Sequence, residues 1–142
     1  MNKSIVIRKR RVYLYIFILL ILNLTAGAGH ADIKTIAAII GEAADQPING
    51  QIALACAIRN RPEGLQGVYG AKLQRNPTIS EVEYALWALR DSQMPGLCWA
   101  LIKGADMWCS DIEQCRKAWR HVSMVFIVKI GDHSFYRRVT GR

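Results

Sequence analysis

No Cys-x-x-Cys pair, Gly-x-Ser-x-Gly elbow, Walker loop or dinucleotide-type glycine fingerprint occurs anywhere in the 142 residues. Their absence removes the usual sequence routes to zinc-module, serine-hydrolase, nucleotide and nicotinamide chemistry. None of the three histidines stands at ligand spacing from a cysteine, so neither a metal nor a cofactor is expected. Acidic residues are scarce, 11 against 19 basic ones, for a formal charge of +8. Five of those cations (Lys3, Arg8, Lys9, Arg10 and Arg11) sit in the first eleven positions. From Asp32 onward, 14 basic residues face 11 acidic ones, too even a balance for a nucleic-acid footprint. Repeats and low-complexity tracts are missing as well. With 51% apolar residues and a mean hydropathy of +0.10, disorder is excluded and a single buried core is expected.

What is present begins with an address. After the five cations come eleven uninterrupted apolar residues, 12–22, then the small-residue run Ala26-Gly27-Ala28-Gly29-His30-Ala31. A basic flank, a short apolar stretch and small residues predict a secretory signal cleaved after Ala28 or Ala31. The alternative is a retained membrane anchor, because 12–29 carries no charge. Either way 1–31 is an export or anchoring segment, and 32–142 is a domain delivered to the periplasm, cell envelope or exterior. Export makes disulfides durable, and Cys109 with Cys115, closing a short loop, is the preferred pair among four cysteines. Cys56, amid Ala and Ile, is expected to be a small core residue.

Asp32 is placed to cap a helix running to about residue 44, with Ile33, Ile36, Ala37, Ile40 and Ala43 on one stripe. Residues 51–60 are apolar nearly all round and predict a central, buried helix stopped by Pro62. Ser80-Glu81-Val82-Glu83 fits a capping box for a third helix to about residue 91, and Pro95 opens a short fourth one ending at Gly104. Residues 123–130 and 134–136, separated by Gly131-Asp132, predict a β-hairpin. The fold class is therefore α+β, helices first and a small antiparallel element last.

Glu42, in Gly41-Glu42-Ala43, is the candidate for chemistry. On a helical wheel it lies away from the isoleucine stripe, beside Thr35 and Ala38. A glycine inside a helix costs about 1 kcal/mol relative to alanine and signals a close approach. The ordinary fate of such a glutamate is a solvated face. Trp87, Trp99 and Trp119 at helical spacing are expected in the core, with Trp108, beside the Gly104-Ala105 break, as the groove-facing exception. His133 is expected as a surface or strand-end residue.

Ile40-Gly41-Glu42-Ala43-Ala44, Gly50-Gln51, Ala57-Ile58-Arg59-Asn60-Arg61, Gly67-Val68-Tyr69-Gly70, Gly104-Ala105-Asp106-Met107-Trp108 and the stretch from Lys129 through Gly131-Asp132-His133-Ser134-Phe135-Tyr136 to Arg137 occur in that order. Together they resemble the SleB-type cell wall hydrolases (spore cortex-lytic and phage-associated peptidoglycan hydrolases), and most of all their short phage-associated branch. The resemblance implies a lysozyme-like helical domain and cleavage of peptidoglycan glycan strands, usually by lytic transglycosylation. It places the catalytic acid on Glu42. Asn60, Tyr69, Trp108 and Tyr136 are the expected substrate-binding residues, and the domain is expected to act as a monomer without nucleic acid. Two departures stand out. Met107 replaces the histidine frequent in the Gly-Ala-x-His-Trp block, and Cys109 replaces an acid. They make a catalytically inactive peptidoglycan-binding or envelope-structural protein the competing expectation, with a membrane-tethered lysis factor as a third.

Overall fold

A computed structural model describes residues 30–68, 70 and 75–139. The leader-or-anchor expectation for 1–31 lies outside them except for His30 and Ala31, and Tyr69 lies outside them too. Among the described residues no helix is long and apolar enough to cross a membrane. The architecture is α+β: helices α1 (His30–Ala43), α2 (Ile48–Asn60), α3 (Ile79–Asp91) and α4 (Leu97–Ile102), strand β1 (Met107–Cys109), helix α5 (Ile112–Ala118), and strands β2 (Met124–Ile130) and β3 (His133–Arg138).

Helix α2 is the central element. Every residue from Gly50 to Ile58 is buried, as its all-round apolar sequence requires. It ends where expected, because Arg61, ahead of Pro62, is forced to extended backbone at φ −75° and ψ 124°. Helices α3 and α4 pack on it, and β1 and β2 also touch it. Cys56 is not a free core thiol: it is joined to Cys98, tying α2 to α4 across a Cα–Cα distance of 5.3 Å. A cross-link spanning 42 residues of sequence contributes about 4 kcal/mol by restricting the unfolded chain.

Three expectations about the helices are corrected. Asp32 is inside α1, which begins at His30. The buried arc of α1 is Ala38, Ile39, Ile40 and Ala43, whereas Ile33 is 55% exposed. The capping box of α3 is Thr78 with Glu81, two residues ahead of Ser80 and Glu83: Glu81 N–H donates to Thr78 Oγ1 at 3.3 Å and Thr78 N–H to Glu81 Oε2 at 2.7 Å. Both spacings fit the pattern, and in the upstream box Glu81 also pairs with Arg75.

The hairpin is present and gains a third strand, giving the antiparallel order β1-β3-β2. Trp108 sits opposite Phe135 and Met107 opposite Tyr136. Side chains alternate between faces, so Trp108, Phe135 and His133 share the side toward the helices while Tyr136 lies on the outer side. Gly131 (φ 59°) opens the two-residue turn, and the buried amide of Gln46 fastens that turn to the α1–α2 junction. Gln46 Oε1 accepts from Asp132 N–H at 2.8 Å, and Gln46 Nε2 donates to Asp132 Oδ2 at 3.2 Å. A side chain at 131 would collide with Gln46 Oε1. This clamp fixes where His133 enters the molecule.

At the other end of the sheet, Arg138 pairs with both Asp106 and Glu63. The bond from Arg138 holds the Glu63 carboxyl at about 2, below its ordinary 4.5. A depressed acid lends stability above its unfolded value and loses it as pH falls through the folded one. The melting temperature should therefore drop between about pH 4.5 and pH 2, and Glu63→Gln should flatten that part of the profile. Identical acid limbs for the two proteins would refute the assignment.

Candidate active site

Glu42 does not lie on the solvated face of α1. One turn back, Ala38 and Ile39 flank it on the wheel, and both are fully buried. Its half-buried carboxyl opens into a cleft of about 320 Å3 whose other walls include Arg61, Val68, Trp108, Trp119 and His133. Gly41 explains how the wall is assembled. The backbone of Gly70 crosses the helix so closely that a Cβ on Gly41 would lie 2.4 Å from Gly70 O, and one on Gly70 would lie 2.6 Å from Glu42 Cγ. Two glycines facing each other let backbone reach side chain. Gly70 N–H then donates to Glu42 Oε1 at 2.6 Å. Trp108 Nε1–H approaches Oε2 at 3.4 Å, a much looser contact.

The carboxyl is thus oriented from both sides but not ion-paired; among the described residues no salt bridge involves it. Among the described residues no other carboxylate lines the cleft. Asp106 is bound to Arg138, and Asp132 and Asp45 are held by Gln46. Two-carboxylate glycosidases keep their acids about 5–9.5 Å apart around the scissile bond. Nothing in this cleft fills the second position. Nor, among the described residues, do three His, Cys, Asp or Glu side chains gather as metal ligands.

The residues nominated from sequence separate into two groups. Trp108 lines the cleft, though it is a buried β1 residue rather than an open platform, and Arg61 stacks over it with the guanidinium 5.3 Å from the ring centroid. Asn60 does not line the cleft: its amide donates to Ala105 O at 2.8 Å and ties the end of α2 to the approach to β1. Tyr136 faces a neighbouring groove on the outer side of the sheet. Cys109 and Cys115 are joined, Cα atoms 6.3 Å apart, and hold α5 against β1 as one rim of the cleft. Met107 also lines it, presenting a thioether to Arg61 Nη1 at 3.9 Å. The other tryptophans depart from the core expectation. Trp87 and Trp99 are 49% and 64% exposed, and Trp119 is half-buried between cleft and groove.

His133 is the strand-end residue expected, but it is not at the surface. It begins β3 but is only 5% exposed, in the cleft wall, with Nδ1 enclosed and without a hydrogen-bond partner. Burial lowers its pKa, against the opposing pull of Glu42, Asp45 and Asp132, so the ring is neutral at physiological pH. An enclosed nitrogen without a partner costs less as a bare lone pair than as an N–H. The proton therefore belongs on Nε2, and any hydrogen bond from the ring to a molecule in the cleft leaves from there. No local sequence signal marks this burial, because the Gln46 side chain that clamps the turn lies 86 residues from Asp132.

No family model matches the chain, and no curated protein matches it. Among solved structures it is similar to the catalytic domain of the germination-specific lytic transglycosylase SleB from Bacillus anthracis, with a TM-score of 0.49 and 23% identity, covering 77% of this chain and 96% of that one.

Proposed function

We propose that the chain is an exported enzyme that cleaves peptidoglycan glycan strands, with Glu42 as its single acid–base residue. The observation that supports this most is a lone carboxyl, oriented by Gly70 N–H and the Trp108 indole, at the wall of an open cleft without a second acid. Oε1 is engaged by the short bond, which leaves the loosely held Oε2 to carry the proton. Oε2 protonates the glycosidic oxygen as the bond to the anomeric carbon breaks, and the leaving sugar departs as an alcohol. The carboxylate so formed takes the proton from the C6 hydroxyl of the remaining sugar while that oxygen attacks the anomeric carbon. The products are a 1,6-anhydro end and a regenerated acid, with no water consumed and no second carboxylate required. His133 Nε2–H, Arg61, Ser110 and Gln114 are polar groups of the cleft wall available to position the sugar. The ordered motif resemblance points the same way. Two disulfides agree with delivery outside the cytoplasm, where such bonds persist.

Mass analysis of the sugar termini released from purified sacculi tests the chemistry. Anhydro ends are expected from the wild-type protein, and none from Glu42→Gln. Reducing ends alone would show that water, activated by the same carboxylate, is the acceptor. Release by neither protein, with binding to sacculi retained, would replace the enzyme with a glycan-binding protein.

A further inference from the structure

A second groove of about 480 Å3 runs along the outer face of the sheet. Its floor is an aromatic ladder: the rings of Trp119 and Tyr136 are 5.6 Å apart, those of Tyr136 and Phe126 5.7 Å, each pair edge-to-face. Phe126 is 55% exposed, a large apolar ring left at the surface of the sheet. Arg116, in the last turn of α5, and Arg120, in the turn that follows the helix, line the same groove. Neither is ion-paired among the described residues, although Glu113 is nearby in sequence. The groove adjoins the Glu42 cleft, with Trp119 lining both.

Arg120 Nε–H donates to His121 Nε2 at 3.0 Å, which leaves its two terminal nitrogens, with the whole Arg116 fork, facing the groove without a carboxylate among the described residues. Apolar ring surface beside two guanidinium groups that lack a carboxylate calls for a ligand that is flat, weakly polar and anionic at once. From this juxtaposition we infer that the groove is an extended binding site for the peptide-bearing sugars of the strand, with Arg116 and Arg120 holding the carboxylates of the stem peptide. The inference rests on the glycan reading of the neighbouring cleft and adds to it. The chain would then favour peptide-substituted strands over naked ones, and the aromatic ladder would hold the strand on one side of the scissile bond while Glu42 acts at the other. Guanidinium–carboxylate pairs suit this task because two parallel N–H bonds fix orientation as well as charge.

The probe is a disaccharide–tetrapeptide muropeptide, compared with the same molecule after amidation of its peptide carboxylates, by calorimetric titration of the full chain at low salt. The wild-type protein should bind the free-acid form about tenfold more tightly, a preference that shrinks as salt is raised. In the double variant Arg116→Gln/Arg120→Gln the ratio should fall to about one, with thermal unfolding confirming the fold. Equal affinity for the two forms in the wild-type protein overturns the proposal without reference to any variant, and so does a preference that survives in the double variant. Binding of neither form overturns the glycan reading and this site with it. A preference that holds while sacculi stay uncut separates the two: the groove stands and the catalytic reading falls.

Discussion

Replacing Glu42 by glutamine is expected to lower the rate of glycan release from sacculi by roughly 100- to 10,000-fold, the range attributable to a positioned general acid. Glutamine has the same shape, and its carbonyl still accepts the bond from Gly70 N–H. Its amide faces the indole N–H of Trp108 as donor to donor, at a contact already 3.4 Å long, so little stability is lost. What disappears is the proton and the place to return it. Folding and activity should therefore come apart, with nearly unchanged melting and almost no turnover. Asp45→Asn supplies the contrast, because that carboxylate lies three residues on, outside the cleft, and the substitution should leave most activity intact. A Glu42→Gln protein retaining more than a tenth of wild-type release would move the chemistry to another group.

The parts of the fold that follow from local periodicity were legible in the sequence. Helix α2 had to be central because no side of it is polar, and the hairpin declared itself by β-branched runs around Gly131-Asp132. Strand β1 was not legible: three residues have no period to read, and its partner β3 arrives only after α5 and β2. Helix α5 buries nothing, so no apolar stripe announces it; its signal was Asp111, which caps Glu113 and Gln114 N–H. For the site, the Gly-Glu pair on α1 pointed correctly to a close approach, since glycine within a helix needs a reason. The identity of the approaching segment could not be read, because Gly70 is 28 residues away. The burial of His133 was missed for the same reason. It depends on the Gln46 clamp, a contact between residues 86 apart in sequence that no window contains. Asn60, a polar residue beside the motif, has its amide engaged by Ala105 O, another contact remote in sequence.

That dependence of the acid on a distant backbone makes Gly41 the second position with a large expected effect. In an isolated helix Gly41→Ala would add about 1 kcal/mol of stability. Here the new methyl meets Gly70 O at 2.4 Å and Gly70 Cα at 2.5 Å, both backbone atoms. Contacts that close cannot persist, and forcing a backbone segment outward costs about 1–3 kcal/mol, which cancels or exceeds the helical gain. The net change in stability therefore runs from none to a loss of about 2 kcal/mol. The change in activity is large, because relaxation carries Gly70 N–H away from Glu42 Oε1 and removes the short bond that fixes which oxygen bears the proton. Loss of one oriented donor in a catalytic site lowers turnover about 100- to 1,000-fold. Gly70→Ala should act alike, since its methyl would lie 2.6 Å from Glu42 Cγ. Release assays on both variants, alongside melting curves, check this pairing. If either alanine protein cuts sacculi at the wild-type rate, the crossing of Gly70 over α1 is not what aims the acid, and the 2.6 Å bond has no part in the reaction.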